Sequence, residues 1–512
     1  MLSAFHTDLY QITMAQARFL LGRDEPRACF SLTFRTLPFE GGFAVCAGLE
    51  RALEFLDEWH ITEDDLTYLR TLKARDGSAL FAESFLEHLS MQRFTCDVDA
   101  IPEGTIVFAC EPLLRITGPV SMCQMVETPL LNIINFSTLI ATKAARCVLA
   151  ADGDEILEFG LRRSQGPDGG LLATRSAYVG GVSATSNVRA GQLYDIPVAG
   201  THAHSWIMSF DSELESFRTY VETSPNNAVL LVDTYDTLTG IRNAITVGRE
   251  MQQRGQRLFG IRIDSGDLAW LSQQARSMLD EAGLDHVHIV ASNSLDEYTV
   301  RSLKEQGACV DIWGVGTSMV TGGDQAALDG VYKMTAIQDA DGVWGPRMKI
   351  SDQLSKATLP GIHGVRRFYN GTGMMIGDMV YGTVGTVGSV PFASDGTKGY
   401  DPGAQNGTKG TDPTVPTIPL TMVDPADVTR RKGFALGTPY KDLLVPVMRD
   451  GKLSGPRPTL NDARRRLAKD MARLDDSHKR FLRPHTYPVG IEESLNDARL
   501  SLMSELKGET DE

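Results

Sequence analysis

The sequence predicts an α/β protein whose middle section is an irregular β/α barrel. Between residues 228 and 316, short apolar runs rich in β-branched residues alternate with segments of helical periodicity. Each run ends in polar or small residues, and no G-x-G-x-x-G fingerprint follows an early strand. The alternation indicates parallel β/α units, and the missing fingerprint favours a barrel over a doubly wound sheet.

Four strands of this barrel are predicted directly from the apolar runs, and they are Ala228–Val232, Leu258–Ile263, His286–Ala291 and Val310–Val315. The residues that follow them are Asp233, Asp264, Asn293 and Gly316. A helix with a glycine stop is predicted over residues 267–283. Because parallel strands end at one edge of a sheet, we expect these polar residues to face one mouth.

Two further stretches stand out near the C-terminus. Residues 381–417 are rich in Gly, Thr and Pro and predict a long surface excursion. Residues from Pro456 to Leu482 predict an amphipathic helix with a charged outer face.

Composition bounds the class of protein. The 512 residues carry a net charge of −15, which argues against a nucleic-acid binder. We expect no membrane span, because no run of about 18 apolar residues occurs. The N-terminus lacks a signal-peptide pattern, and the seven cysteines form no C-x-x-C pair. The length predicts two to four domains, and the cysteine and N-terminal patterns predict a cytoplasmic location.

The first candidate motif is the segment from Glu158 to Gly166, EFGLRRSQG. Its adjacent Arg162 and Arg163 follow a predicted strand and could clamp a phosphate or carboxylate through paired donors. The alternative is an ordinary solvated arginine pair.

The second motif is Gly200–Ser205, GTHAHS. In a strand His202 and His204 would share a face, which allows a metal pair, although no nearby carboxylate completes a ligand set. A single histidine acting as nucleophile or general base is favoured, with polar strand-end residues as the alternative.

The third and fourth motifs suit a phosphorylated sugar. Asp264 and Asp267 flank a Ser-Gly turn and could hold ribose hydroxyls or a water-bridged Mg²⁺, although Asp267 could simply cap a helix. The glycine-rich segments 314–318 and 321–323 follow a late strand and could cradle a phosphate with backbone N–H groups. The four motifs together predict a phosphosugar site at one mouth.

These motifs, in this order, resemble the nicotinate phosphoribosyltransferase family over nearly the whole chain. The similarity begins at Thr7–Gln11 and ends at Lys349–Gly361. Between them lie FRTLPFEGGFAVCAGL, EFGLRRSQGPDGG, TSNVRAG, GTHAHS, VDTYDT, IRIDSGDL, ASNSLDE and WGVGTS. So many motifs in register make a chance similarity negligible.

The resemblance implies the reaction. The enzyme would join nicotinate to 5-phosphoribosyl 1-diphosphate, giving nicotinate mononucleotide and diphosphate in the first step of NAD salvage from nicotinate. The family couples this to ATP hydrolysis, a ligase-type activity, through a phosphohistidine at the position of His204. Asp233 matches the carboxylate that orients this imidazole. ATP is then a co-substrate and Mg²⁺ a cofactor, held through phosphates near Asp264 and Asp267.

The resemblance also implies the residues that bind nicotinate. Phe159 would stack on the pyridine ring, and Tyr10 of a partner subunit would cover the other face. Arg162 matches a residue near the ring and Arg262 one near the ribose phosphate, and which of them faces the carboxylate stays open. Related nicotinamide-using enzymes carry Asp at the position of Asn187, and a carboxylate there would repel nicotinate.

The remaining substrate contacts follow the same resemblance. Asp264 would hold the ribose hydroxyls, and Gly316 and Thr317 the 5′-phosphate. Ser292 and Asn293 are further substrate-binding candidates. The cations available to diphosphate or ATP are Lys333, Lys349 and Lys356.

The implied architecture is a type II phosphoribosyltransferase-like barrel with an α/β sandwich domain built from both ends of the chain. We expect the sandwich over 1–135, the barrel over 136–362, and a segment over 363–512 that returns to the sandwich. The active site would be shared across a homodimer. The stretch 381–417 has no counterpart in the pattern and could be a lid, an assembly surface or a neutral insertion.

Three other readings compete with this one. A nicotinamide-preferring transferase is disfavoured by Asn187 and by the GTHAHS motif. A non-catalytic nucleotide sensor would not need Arg162, His204, Asp233 and Asp264 together. A barrel lyase or isomerase would need a Schiff-base lysine or an enolising base at a strand end, and the predicted strand ends carry none.

Overall fold

The computed structural model describes residues 3–22, 25–350, 358–384 and 420–508. The chain divides into two compact units. The first consists of Met1–Asn135, Leu328–Thr459 and Ala468–Glu512, and the second of Phe136–Ala327 with Leu460–Leu467. Lys356 and most of the predicted 381–417 excursion lie outside the described residues.

The described residues form strands in both units. In chain order these are β1 (Arg27–Phe34), β2 (Ala44–Val45), β3 (Asp97–Ala100), β4 (Ile106–Val107), β5 (Leu114–Pro119), β6 (Glu155–Glu158), β7 (Ala184–Thr185), β8 (Val229–Leu231), β9 (Gly260–Ile263), β10 (His288–Ser292), β11 (Ile312–Val315), β12 (Gly330–Gln338), β13 (Trp344–Pro346), β14 (Ile362–Tyr369), β15 (Met375–Val384), β16 (Leu420–Val423), β17 (Arg431–Phe434), β18 (Tyr440–Asp442), β19 (Val445–Arg449), β20 (Lys452–Leu453) and β21 (Val489–Glu492).

The α-helices of the described residues are α1 (Leu9–Leu20), α2 (Leu49–Asp57), α3 (Glu63–Thr71), α4 (Glu83–Met91), α5 (Val120–Met125), α6 (Glu127–Ala151), α7 (Gly166–Val179), α8 (Val188–Tyr194), α9 (His204–Ile207), α10 (Glu213–Thr223), α11 (Thr237–Gln253), α12 (Leu268–Glu281), α13 (Glu297–Glu305), α14 (Thr317–Thr321), α15 (Leu460–Arg473) and α16 (Glu493–Lys507).

The second unit is built on a six-stranded sheet in the order β7-β6-β11-β10-β9-β8. All of its neighbouring strands pair in parallel. The first full strand, β6, pairs with the last, β11, so the order is cyclic, as in a barrel left open between β7 and β8. Ala184 and Val229, from the two edge strands, share one apolar cluster, which shows that the sheet curves. The predicted α/β class with a β/α barrel is confirmed.

Short polar side chains start the helices that follow these strands. Asn187, Asp236, Asp267 and Asp296 each accept a hydrogen bond from a backbone N–H in the first turn of α8, α11, α12 and α13, respectively. Such caps satisfy N–H groups that have no partner inside the helix. They hold the strand-to-helix connections at the carboxyl edge of the sheet.

In the described part of the first unit there are two larger sheets and a two-stranded one. The seven-stranded sheet has the order β13-β12-β1-β5-β3-β19-β20, and the six-stranded sheet has the order β17-β16-β21-β15-β14-β18. Because β12 pairs along its length with β1, the segment from Leu328 onward belongs to this unit. The return from the barrel therefore comes earlier in the chain than residue 362, where we expected it.

The predicted elements differ from the observed ones mainly in length. The four predicted barrel strands correspond to β8–β11, and the predicted helix corresponds to α12. The C-terminal helix ends at Arg473, and a short 3₁₀ turn at Asp476–His478, with Asp475 at its N-cap, follows it. One described helix, α6, is long and apolar enough to cross a membrane, but 78% of its most apolar stretch is buried in the protein.

Candidate active site

The carboxyl ends of the parallel strands in the second unit bring the predicted site residues to one edge of the sheet. One predicted site residue lies just beyond the carboxyl end of each strand. In the sheet order β7, β6, β11, β10, β9 and β8, these residues are Asn187, Phe159, Gly316, Asn293, Asp264 and Asp233. This edge is where parallel α/β folds place their ligands.

Arg262, Asp264 and Ser292 form a hydrogen-bonded cluster at the ends of β9 and β10. The Arg262 guanidinium donates to Ser292 Oγ at 2.9 Å and to Asp264 Oδ1 at 2.9 Å. It also donates to Thr201 Oγ1 at 3.3 Å. The Ser292 hydroxyl donates to the same Asp264 oxygen. Asp264 Oδ2 receives no hydrogen bond from the described residues, so it is available to a hydroxyl or a hydrated cation.

His204 lies next to this cluster with its ring accessible. The side chain is 42% exposed, and its Nε2 is 3.9 Å from Asp264 Oδ2. Its Nδ1 is 3.0 Å from the Thr234 hydroxyl. One ring nitrogen is therefore held by a neutral hydroxyl, and the other faces the aspartate expected to bind ribose.

Among the described residues no hydrogen bond joins Asp233 to the His204 imidazole, so the orienting role expected of Asp233 stays a prediction. Its Oδ2 accepts the backbone N–H of Asp264 at 2.9 Å and the hydroxyl of Ser265 at 2.5 Å. Its Oδ1 is buried and has no hydrogen-bond partner among the described residues. The carboxylate thus fixes the turn after β9, and Thr234 is the residue that contacts the His204 ring.

His202 is separated from His204 by burial. It is 8% exposed, and its Nε2 accepts the backbone N–H of Leu231 at 3.3 Å. Its ring packs against Tyr220 with centroids 4.7 Å apart. Burial lowers its pKa to about 4. It is therefore a neutral structural residue, and it does not pair with His204 around a metal.

Phe159 occupies a position that depends on a glycine. Its ring lies against Gly314 in β11, where a Cβ would come within 2.6 Å of a ring carbon. The Arg262 guanidinium lies 5.5 Å from the ring centroid. A planar ligand stacked on Phe159 would therefore also lie near a cation.

Asn187 is only 1% exposed. Its Oδ1 accepts the N–H of Ala190 at 3.2 Å, and its Nδ2 donates to Thr174 Oγ1 at 3.1 Å. The amide thus caps α8 and lies in a buried polar network. Its predicted part in choosing between the acid and the amide remains a prediction.

Of the residues expected at the 5′-phosphate, Gly316 is half-buried and Thr317 is exposed; Asn293, a further substrate-binding candidate, is exposed as well. Thr317 starts α14, and Asn293 has a φ of 97°. Ser318 Oγ donates to Leu295 O, which ties the loop after β11 to the loop after β10. These loops therefore form one connected rim.

Arg162 and Arg163 lie in a 3₁₀ turn and are exposed. Neither side chain makes a hydrogen bond or ion pair with another residue in the part of the chain that the structure describes, although the Arg163 backbone N–H donates to Gly160 O at 2.8 Å. Both guanidinium groups are thus free to meet an anion, as the clamp reading requires.

Asp264 and Asp267 each offer one carboxylate oxygen to a cation near the turn after β9. Asp267 Oδ1 accepts the N–H of Trp270 at 3.1 Å, so this residue is a helix cap as the alternative predicted. Asp264 offers its Oδ2. Across the described ranges, no three His, Cys, Asp or Glu side chains form a metal site. The residues fit a cation held mainly by substrate oxygens.

Tyr10, Lys333 and Lys349 belong to the first unit. Tyr10 lies on α1 and is 49% exposed. Lys333 Nζ donates to the backbone oxygen of Tyr332 at 3.0 Å, and Lys349 is exposed. Their predicted roles toward substrate remain predictions.

Sequence reasoning missed Thr201, Thr234 and Glu158. Thr201 and Thr234 lie in quoted motifs, but hydroxyl residues at strand ends are too common to single out. Glu158 lies in the first motif and is fully buried, which its charge does not predict.

Three family models match the chain. They are the nicotinate phosphoribosyltransferase N-terminal domain over residues 5–135, the nicotinate phosphoribosyltransferase family over 155–370, and the nicotinate phosphoribosyltransferase C-terminal domain over 362–499.

Relatives of known name agree with these matches. The nicotinate phosphoribosyltransferase of Bacillus subtilis (strain 168) is 40% identical over 99% of this chain and 97% of its own length. The human one is 33% identical over 96% of this chain and 94% of its own length. A crystal structure of human nicotinic acid phosphoribosyltransferase superposes with a TM-score of 0.79 at 30% identity, covering 97% of this chain and 99% of that one. A nicotinate-nucleotide pyrophosphorylase from Pyrococcus furiosus, at 19% identity and a TM-score of 0.64, shares the fold.

Proposed function

The chain belongs to the nicotinate phosphoribosyltransferase family, and from this premise we propose that it joins nicotinate to 5-phosphoribosyl 1-diphosphate. The products are nicotinate mononucleotide and diphosphate, the first step of NAD salvage from nicotinate. The observation that carries the proposal is the cluster of Arg262, Asp264 and Ser292 beside the exposed imidazole of His204.

The cluster suits the chemistry at the ribose. As diphosphate leaves, C1 becomes oxocarbenium-like, and the nitrogen of nicotinate attacks it. Such a reaction needs positioning and charge stabilisation more than covalent help. Asp264 Oδ2 accepts ribose hydroxyls, Ser292 and Asn293 lie beside them, and Gly316 and Thr317 bind the 5′-phosphate. Asp264 and Asp267 would help to hold Mg²⁺ through the substrate's phosphates, where it would supply positive charge to the diphosphate.

The nicotinate ring stacks on Phe159, and the guanidinium groups of two arginines are available to its carboxylate. Arg262 is already near the ring, and Arg162 is free to approach it. The side chain at position 187 is a neutral asparagine, which does not repel a carboxylate. This arrangement supports an anionic pyridine over the amide.

ATP hydrolysis is coupled to the reaction through His204. A ring nitrogen attacks the γ-phosphorus of ATP, and ADP leaves with the electron pair of the broken P–O bond. Water later takes the phosphoryl group from the imidazole. Asp233 contributes by fixing the turn that carries Asp264, since its Oδ2 accepts that residue's N–H.

The test measures mononucleotide formation from phosphoribosyl diphosphate and nicotinate, with and without Mg-ATP. We expect turnover that ATP stimulates, with phosphate on His204 by mass spectrometry. The variant His204→Asn should lose the ATP stimulation and retain binding of nicotinate. ATP stimulation that survives in His204→Asn would contradict the coupling, and a folded wild type that forms no product would contradict the activity.

A further inference from the structure

A fully buried carboxylate lies directly behind the proposed nicotinate site. Glu158 ends β6, and the structure gives it no cationic partner among the described residues. Three donors converge on it instead. The Gly160 N–H donates to Oε1, and the hydroxyls of Thr174 and Thr185 donate to Oε2 at 2.9 and 2.6 Å. A buried carboxylate with three directed donors is held in one orientation.

One side of this network fixes the backbone of Phe159. The Gly160 N–H, which follows the aromatic residue, is bonded to Glu158, and the Phe159 N–H donates to Val315 O at 2.8 Å. Gly160 also packs against Val320, where a Cβ would come within 2.3 Å of a methyl carbon. The turn that presents the ring is therefore held on both sides.

The other side of the network fixes Asn187. Its backbone N–H donates to Thr185 Oγ1 at 2.9 Å, and its Nδ2 donates to Thr174 Oγ1 at 3.1 Å. The Thr174 hydrogen is directed only at acceptors, which are the Glu158 carboxylate and Gly170 O. Its oxygen must therefore receive a donor, and an amide supplies one where a carboxylate does not.

This direction of the hydrogen bonds favours a neutral, hydrogen-bond-donating side chain at position 187. A second carboxylate there would place two anions around one hydroxyl whose hydrogen is already committed. The hydrogen bonds of Glu158 thus favour a neutral donor at position 187 over a second carboxylate.

We propose that Glu158 is a positioning residue that holds Phe159 and Asn187 together and thereby sets the selectivity for nicotinate over nicotinamide. This inference rests on the function proposed above. It assigns a role to a residue that touches neither substrate.

The primary test is the variant Glu158→Gln. A glutamine has one acceptor atom and one donor atom, so at least one of the three converging donors would meet an N–H group. We expect the ratio of kcat/KM for nicotinate to that for nicotinamide to fall by at least about tenfold. We expect KM for nicotinate to rise while KM for phosphoribosyl diphosphate changes by less than about twofold.

The matched control is Glu213→Gln. Glu213 is another buried carboxylate of the same unit, and its Oε2 accepts a hydrogen bond from the neutral Asn243 side chain at 2.9 Å. This control replaces a buried carboxylate outside the Glu158 network and should leave the selectivity ratio unchanged. Thr174→Val removes one arm of the network and serves as a second variant if Glu158→Gln does not fold.

Calorimetric titration of nicotinate and nicotinamide separates this proposal from the proposed function. Weaker nicotinate binding in Glu158→Gln or Thr174→Val, against unchanged binding in the control, supports the positioning role even without turnover. Equal losses for both pyridines and for phosphoribosyl diphosphate, matching those of Glu213→Gln, would overturn it. A wild type that binds nicotinate but does not convert it would contradict the proposed function alone.

Discussion

At the residue scale, we expect Asn187 to be the position where a single atom decides between nicotinate and nicotinamide. Replacing it by Asp keeps a good helix cap for α8 but puts an oxygen where Nδ2 now donates to Thr174. We expect Asn187→Asp to lower kcat/KM for nicotinate by at least about tenfold, because like charges meet in a buried site.

The control for that substitution is Asn187→Ser, which is neutral and also caps helices. It should keep more of the preference for nicotinate than Asn187→Asp does, because it adds no charge. Steady-state kinetics with both pyridines measure the two ratios. An Asn187→Asp enzyme with undiminished use of nicotinate would show that charge at this position does not set the specificity.

His202 makes stability depend on pH. Burial lowers its pKa from 6.5 to about 4, so below pH 6.5 the unfolded chain binds a proton that the folded chain does not. Its contribution to the free energy of unfolding is therefore full above pH 6.5 and falls progressively as pH decreases toward 4. The loss reaches up to about 3 kcal/mol.

The variant His202→Gln should flatten this part of the profile, since glutamine can still accept the Leu231 N–H and does not titrate. Urea unfolding at pH 4.5 and 7.5 gives the difference for each protein. Burial also lowers the pKa of His363, in the first unit, to about 4, and this contribution is common to both proteins. An equal pH dependence in both proteins would mean that His202 is not the group responsible.

At the scale of elements, β11 leaves room for the Phe159 ring because Gly314 has no side chain where the ring lies. A methyl group at this position would come within 2.6 Å of a ring carbon and 3.2 Å of Ser292 Cβ. We expect Gly314→Ala to move the ring and lower kcat/KM for nicotinate by about tenfold or more.

Gly433→Ala is the matched control for this strand. Gly433 lies in β17 of the first unit, and an added Cβ there would meet nothing within 4 Å. It should leave both the kinetics and the melting temperature near those of the wild type. Wild-type kinetics in Gly314→Ala would show that the ring position does not matter for catalysis.

The elements of the barrel were predictable, but the contacts of their side chains were not. Apolar runs and Asp or Asn caps locate β8–β11 and α12 from local sequence alone. Whether Asp233 or Thr234 contacts His204 depends on which rotamer the packed turn allows. The burial of Glu158 was not predictable either, because it is made possible by three hydrogen-bond donors that come from β7, α7 and the turn after β6.

The C-terminal boundary shows a different limit. The stretch to Leu482 keeps a helical pattern of charges, yet α15 ends at Arg473. Asp475 follows, and its side chain accepts the N–H of Ser477, which starts a separate turn. A local cap of this kind interrupts a periodicity that continues on both sides.

At the scale of the whole molecule, the proposed homodimer with a shared site makes a quantitative prediction. If Tyr10 of one subunit completes the site that holds His204 of the other, Tyr10→Ala and His204→Ala each impair both sites of their own dimers. A randomly exchanged mixture then contains one intact site in every heterodimer, and activity should recover to about a quarter of the wild type.

The exchange experiment is read against each variant incubated alone under the same conditions. Recovery above both single variants supports the shared site. A mixture that shows only the average of the two separate activities would contradict it.

The most direct test of the central claim is a competition between equal concentrations of nicotinate and nicotinamide in one reaction with phosphoribosyl diphosphate and Mg-ATP. The ratio of the two mononucleotides, measured by mass spectrometry, equals the ratio of the two kcat/KM values. We predict that nicotinate mononucleotide exceeds the amide product by at least about 100-fold. A mixture dominated by nicotinamide mononucleotide would contradict the account of Asn187, Phe159 and the buried Glu158.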